Sequence, residues 1–173
     1  MPVVTFDKFF RHTRLISFGG MNLIQGNKMS LPLTFRQLAV PLSGKALRAF
    51  RKDAGWADVD AATGEPPQGK VQWVTVESGK KTIGIARLEL APPQFCYVSD
   101  LIIARAYHGQ GVGQWFVKNI ERYCTQFGIP RLLLHPLEGT QGFYEKQHFV
   151  PDPYVAPFLK KEINPFQRKM LAH

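Results

Sequence analysis

Cysteine is scarce in this chain of 173 residues: Cys96 and Cys124 are the two it has. They form no Cys-x-x-Cys pair and no metal-ligand spacing, so no metal is called for, and a reducing, cytoplasmic setting is expected. No apolar run approaches the ~20 residues that a membrane span needs, which argues against a membrane partner. Acidic residues are also few, 13 against 22 Lys plus Arg, for a formal charge of +9. That balance suits acidic partners such as phosphate-bearing cofactors. No run of Lys and Arg forms a basic tail, however, so nucleic acid is not the expected partner. Repeats and low-complexity segments are absent. What remains is an ordinary globular balance, 45% hydrophobic and 20% charged, in a chain long enough to bury a sizeable core as one domain.

The first 30 residues read differently from the rest. They are basic and mixed, with no continuous apolar core for a secretory signal. Asp7 interrupts a transit-peptide pattern, and Met21 and Met29 offer later starts. The expectation is a leader over 1–30, loosely attached or not native, and a single domain over 31–173.

From Leu31 the texture is regular. Near-alternation predicts a strand from Leu33 to Pro41. Ser43 is a plausible N-cap for a helix whose Leu47, Phe50 and Ala54 share one face, with Gly55 as its stop. A turn-rich loop follows. "VQWVTVE" and "TIGIARLEL" read as strands joined by a hairpin turn at "SGKK", and "FCYVSDLIIA" as a third strand. "GQWFVKNIERYCTQF" places Phe116, Ile120 and Tyr123 on one helical face, ended by Gly128 and Pro130. "RLLLH" reads as a buried strand, "TQGFYEKQ" as a short helix, "HFVPD" as the opening of another strand and "PFQRKML" as a last one. The fold class is mixed α/β with a mainly antiparallel sheet, not the strict alternation of a doubly wound one.

The chemistry concentrates at His108-Gly109-Gln110-Gly111-Val112-Gly113, between a strand and a helix. Amides of a first helical turn lack partners, the helix dipole favours negative charge there, and glycine lets the backbone approach a phosphate. A P-loop would need Gly-Lys-Ser/Thr, which does not occur in such a context, and a dinucleotide fingerprint would need glycine where Gln114 stands. A preceding hairpin also argues against the dinucleotide fold.

The spacing resembles the acyl-CoA loop of the GNAT superfamily of N-acetyltransferases, Arg/Gln-x-x-Gly-x-Gly/Ala, with His108 in place of Arg or Gln. A second segment, "GTQGFYEKQHF", is similar to the family's Phe-Tyr-x-Lys-x-Gly-Phe. Phe143, Tyr144, Lys146 and Phe149 match it. His148 replaces its glycine, and the family's Asn ahead of Phe143 is absent, Leu137 standing near its place. The resemblance covers Leu31 to Leu171.

The resemblance implies a sheet splayed in a V and direct transfer of an acetyl group from acetyl-CoA to a primary amine in a ternary complex. It implies that Leu101, Ile102 and Ile103 pair with pantetheine, with the N–H of Ile103 meeting the thioester carbonyl. The diphosphate would sit on the amides of Gly109, Gln110, Gly111, Val112, Gly113 and Gln114, with His108 at the cofactor loop's cationic position, and Lys146 would touch a CoA phosphate. Tyr144 would be the general acid. Asp100 is the candidate base, on the same strand face as Val98 and Ile102 by simple alternation, with Glu89 as the alternative. His135, at a strand end, carries a weaker signal. The acceptor is left open between a small amine and a protein lysine, with a slight lean to a small, weakly charged amine. Dimers are common among resembling proteins, so a homodimer is the assembly suggested. The competing reading is a non-catalytic acyl-CoA-binding module on the same fold.

Overall fold

The computed structural model describes residues 31–56 and 70–163. The leader, the turn-rich loop after the first helix and the segment "PFQRKML" lie outside the described residues.

Seven strands form one sheet in the order β1-β2-β3-β4-β5-β7-β6. They are β1 (Leu33–Gln37), β2 (Lys70–Ser78), β3 (Lys81–Ala91), β4 (Phe95–Ile103), β5 (Arg131–Leu134), β6 (Val150–Pro151) and β7 (Leu159–Glu162). The helices are α1 (Gly44–Ala54), α2 (Val112–Gln126) and α3 (Gln141–Glu145). Every pairing is antiparallel except β4 with β5.

Each face of the sheet carries its own core. On one, Val112, Phe116, Val117 and Ile120 of α2 pack over Val74, Val76, Leu88, Val98 and Leu132. Fully burying a side chain such as Phe116 contributes about 2–3 kcal/mol before cavity effects. The other face carries a smaller cluster of Trp73, Ile85 and Ile102 under Leu47, Phe50 and Ala54 of α1. Helix α1 buries none of its residues fully. It is capped as the sequence leads one to expect: Ser43 accepts from the N–H of Ala46, and Gly55 takes the left-handed conformation at φ 78°.

Three local features differ from the sequence reading. Strand β1 stops at Gln37, although the N–H of Leu38 still donates to the Trp73 carbonyl; Pro41 has no N–H to extend a ladder. Strand β6 is only two residues long, and β7 was not expected at all. Its sequence, Leu-Lys-Lys-Glu, looks solvent-borne. Yet Lys161 is buried, because it pairs with Glu121 on α2 and lies over the Phe149 ring, 5.6 Å from the centroid.

The third difference lies in β4. Ile85 of β3 pairs with Ile102, and Arg87 with Ser99, so two steps on β3 face three on β4. This is a β-bulge, and Asp100 within it has φ 47°. An extra residue reverses the alternation beyond it. Val98 therefore belongs to the α2-side core and Ile102 to the α1-side cluster. The expectation that Val98, Asp100 and Ile102 share a face is corrected by the bulge.

Candidate active site

β4 loses its parallel neighbour just before it reaches the bulge. β5 registers with it only at Cys96–Leu132 and Tyr97–Leu133, so the two strands part after Tyr97 and open the V. The N–H of Ala104 donates to Ile83 on the β3 side. Successive amides of a strand point to opposite edges, so the N–H of Ile103 is directed away from β3, to the open side. The neighbouring strand makes room for this edge. A Cβ on Gly84 would lie 2.5 Å from Ile103 Cδ1, 2.6 Å from Val76 Cγ1 and 3.1 Å from the Ile102 carbonyl. Gly84 was missed in the sequence, although glycine inside a strand is a known mark of close backbone approach.

A short 3-10 turn, Arg105–Tyr107, leads to the glycine loop. Gly109 and Gly111 have φ 70° and 80°, so both occupy the left-handed region. Gly111 caps α2 without a side-chain hydrogen bond, and the first turn holds no acidic residue. The first helical bond runs from the N–H of Trp115 to the Gly111 carbonyl at 3.0 Å. The amides of Val112, Gly113 and Gln114 therefore stand at the helix mouth without an intrahelical acceptor. Gly113 is required for another reason: a Cβ there would meet Phe143 at 3.1 Å and Ile103 at 3.8 Å. Its bareness lets α3 close on the loop and on the end of β4.

His108 turns inward to the chain itself. Its Nε2 lies 2.7 Å from the Ile103 carbonyl. A carbonyl only accepts, so Nε2 carries the hydrogen. The Gln110 amide similarly donates to the Ala106 carbonyl at 3.0 Å. Both side chains brace the loop.

Tyr144 is buried beside Phe143 and Phe149, with ring centroids 5.1 and 5.6 Å away. Burial pushes its phenol up to about 12. Lys146 is exposed at the end of α3. His148 takes φ 66°, which is why a glycine suits this position.

The carboxylates are engaged. Nε and Nη2 of Arg51 donate to Asp100 Oδ1 at 2.9 and 2.6 Å, with side-chain exposures of 17% and 7%. Arg51 was not singled out in the sequence, because nothing local links α1 to β4. Glu89 pairs with Arg87 at 3.1 Å. Across β3 and β4, Arg87 faces Ser99 and Glu89 faces Tyr97. The Ser99 hydroxyl is buried and has no hydrogen-bond partner among the described residues. Burial first, then Glu89 and Asp100, hold the Tyr97 phenol above its usual range. Tyr97 and His135 both contact Phe158, with centroids 5.8 and 5.6 Å away. The two thiols do not belong to this region as nucleophiles: both are buried, and a hydrogen bond with Cys96, followed by burial, pushes the Cys124 thiol up.

Residues 41–149 match the family model for acetyltransferases of the GNAT family. No curated protein gives a significant match. Solved structures agree in fold. A candidate acyl-CoA N-acyltransferase of Klebsiella pneumoniae is 17% identical at a TM-score of 0.60, covering 76% of this chain and 98% of its own. A candidate N-acetyltransferase of Lactobacillus plantarum is 18% identical at 0.60, covering 76% and 99%. A candidate GNAT-family acetyltransferase of Desulfovibrio desulfuricans is 14% identical at 0.58, covering 76% and 99%. The bulged strand, the parted β4 and β5 and the glycine turn before α2 thus fall inside a recognised domain: this chain belongs to the GNAT family and is an acyltransferase that draws on acyl-CoA.

Proposed function

We propose that the protein is an N-acetyltransferase, moving an acetyl group from acetyl-CoA to a primary amine by direct transfer in a ternary complex. The observation that carries this reading is the adjacency of two backbone features. The uncapped N-terminus of α2 offers amides to a diphosphate, and the open edge of β4 offers the Ile103 N–H to a thioester carbonyl. Leu101 lies on the same edge, whereas the backbone groups of Ile102 turn to β3 by the same alternation. Gly109, Gly111, Val112, Gly113 and Gln114 line the diphosphate position. Lys146 supplies an exposed charge nearby in sequence to Tyr144.

The reaction forms an N–C bond and breaks a C–S bond. The Ile103 N–H stabilises the charge that builds on the carbonyl oxygen. Tyr144 keeps its proton, being held near 12. A thiol titrates near ~8.5, so complete transfer from this phenol to the leaving thiolate is uphill by about 5 kcal/mol. Tyr144 therefore serves as a hydrogen-bond donor to the developing thiolate, and the amine's proton leaves by another route. Arginine holds both candidate carboxylates, Asp100 by Arg51 and Glu89 by Arg87. Asp100 is assigned to hold the bulge, and the amine's proton passes to water at the Glu89 end of the strand. The acceptor is a small amine, received on the half-buried floor of Arg87, Glu89, Tyr97 and Ser99.

The test is a calorimetric titration with acetyl-CoA and with CoA, on the natural protein and on Gly111→Trp. Binding of roughly micromolar strength that disappears in the variant is expected, equivalent to about 8 kcal/mol. A folded natural protein that binds neither would overturn the reading.

A further inference from the structure

Three groups on α1 and β4 remain outside the transfer chemistry: Arg51, Asp100 and Asp53. Asp100 stands where the bulge turns, in a left-handed conformation that a residue with a Cβ adopts only under strain. Such a conformation persists only where its surroundings hold it. Here Arg51 grips its carboxylate with two nitrogens at 2.9 and 2.6 Å, largely out of solvent. Two residues further along α1, Asp53 Oδ2 accepts from the backbone N–H of Arg105 at 2.7 Å. Helix α1 thus holds the stretch Leu101–Ala104 at both ends, by Asp100 before it and Arg105 after it. This is the more telling because α1 has no fully buried side chain to anchor it by packing alone.

We infer that Arg51 is a positioning residue, whose ion pair with Asp100 fixes the β4 bulge and so aims the Ile103 N–H at the thioester carbonyl. The inference rests on the acetyl-CoA reading above. Its logic is geometric. The bulge decides which edge of β4 each later amide faces, since one residue more or less reverses the alternation. If Asp100 relaxes to extended backbone, the Ile103 N–H swings from the open side to the β3 side. The diphosphate amides on α2 are not part of that switch. Loss of the latch therefore spares affinity and removes polarisation of the carbonyl.

A direct readout is the carbon-13 resonance of acetyl-CoA labelled at the acetyl carbonyl, recorded free and bound. The natural protein should shift it downfield, as a hydrogen bond to the oxygen does. Arg51→Met and Asp100→Asn should return it most of the way to the free position, with the dissociation constant for acetyl-CoA changed by no more than about threefold. Arg51→Lys keeps the charge and should retain part of the shift, which serves if the methionine variant does not fold. A bound resonance in folded Arg51→Lys and Asp100→Asn identical to the natural one overturns the latch while leaving the acetyl-CoA reading intact. Binding by the natural protein without any shift also overturns the latch. Absence of binding overturns the acetyl-CoA reading, and the latch with it.

Discussion

His148 and Asp100 are the two non-glycine residues described with positive φ, and they ask for opposite treatment. His148 is exposed in the turn after α3, so nothing is gained by its Cβ. His148→Gly should stabilise the protein by up to about 1 kcal/mol, the relief of the left-handed strain less the extra chain entropy of glycine; urea unfolding measures it. Tyr144 supports a second expectation. Tyr144→Phe removes one donor to the leaving group and should lower kcat by about a hundredfold with little change in KM for acetyl-CoA. The sign of its pH dependence follows from burial. A phenol raised to about 12 stays protonated throughout the neutral and moderately alkaline range. The kcat profile should therefore show no fall from Tyr144 ionisation below about pH 10, a statement that steady-state rates can check.

Among the elements, β3 and β4 act as one unit. Gly84→Ala would drive a methyl against the Ile103 side chain and the Ile102 carbonyl. It should cost about 1–3 kcal/mol of stability, which thermal unfolding would show. The elements themselves were largely readable from the chain. Alternation marked β2, β3 and β4, and the Ser43 cap, the Gly55 stop and the helical stripe of Phe116, Ile120 and Tyr123 marked α1 and α2. The glycine turn was readable too, because glycine is chemically distinctive. The bulge was not. It depends on a contact between Arg51 and Asp100, 49 positions apart, and alternation applied through it misplaced Asp100 and Ile102. β7 was hidden because its buried lysine is tolerable only beside Glu121, which lies on another element. The role of Gly113 was half legible: the glycine stood out, while Phe143 as its neighbour did not.

For the molecule as a whole, the charge of +9 favours an anionic ligand over any distance that salt does not screen. Acetyl-CoA affinity should fall by about tenfold between roughly 0.05 and 0.5 M salt, and that of a derivative lacking the 3′-phosphate should fall less. No helix among the described residues is long and apolar enough to cross a membrane. The two cores on opposite faces of the sheet are unequal, and this has a consequence for local opening. The larger one ties α2 to the central strands, so their amides should exchange with deuterium only through global unfolding. The smaller one leaves α1 held by half-buried side chains and by polar ties that include those of Arg51 and Asp53. Helix α1 can then detach as a separate cooperative unit, exchanging its amides while α2 and its neighbours stay protected. One side of the sheet would open while the other keeps its shape.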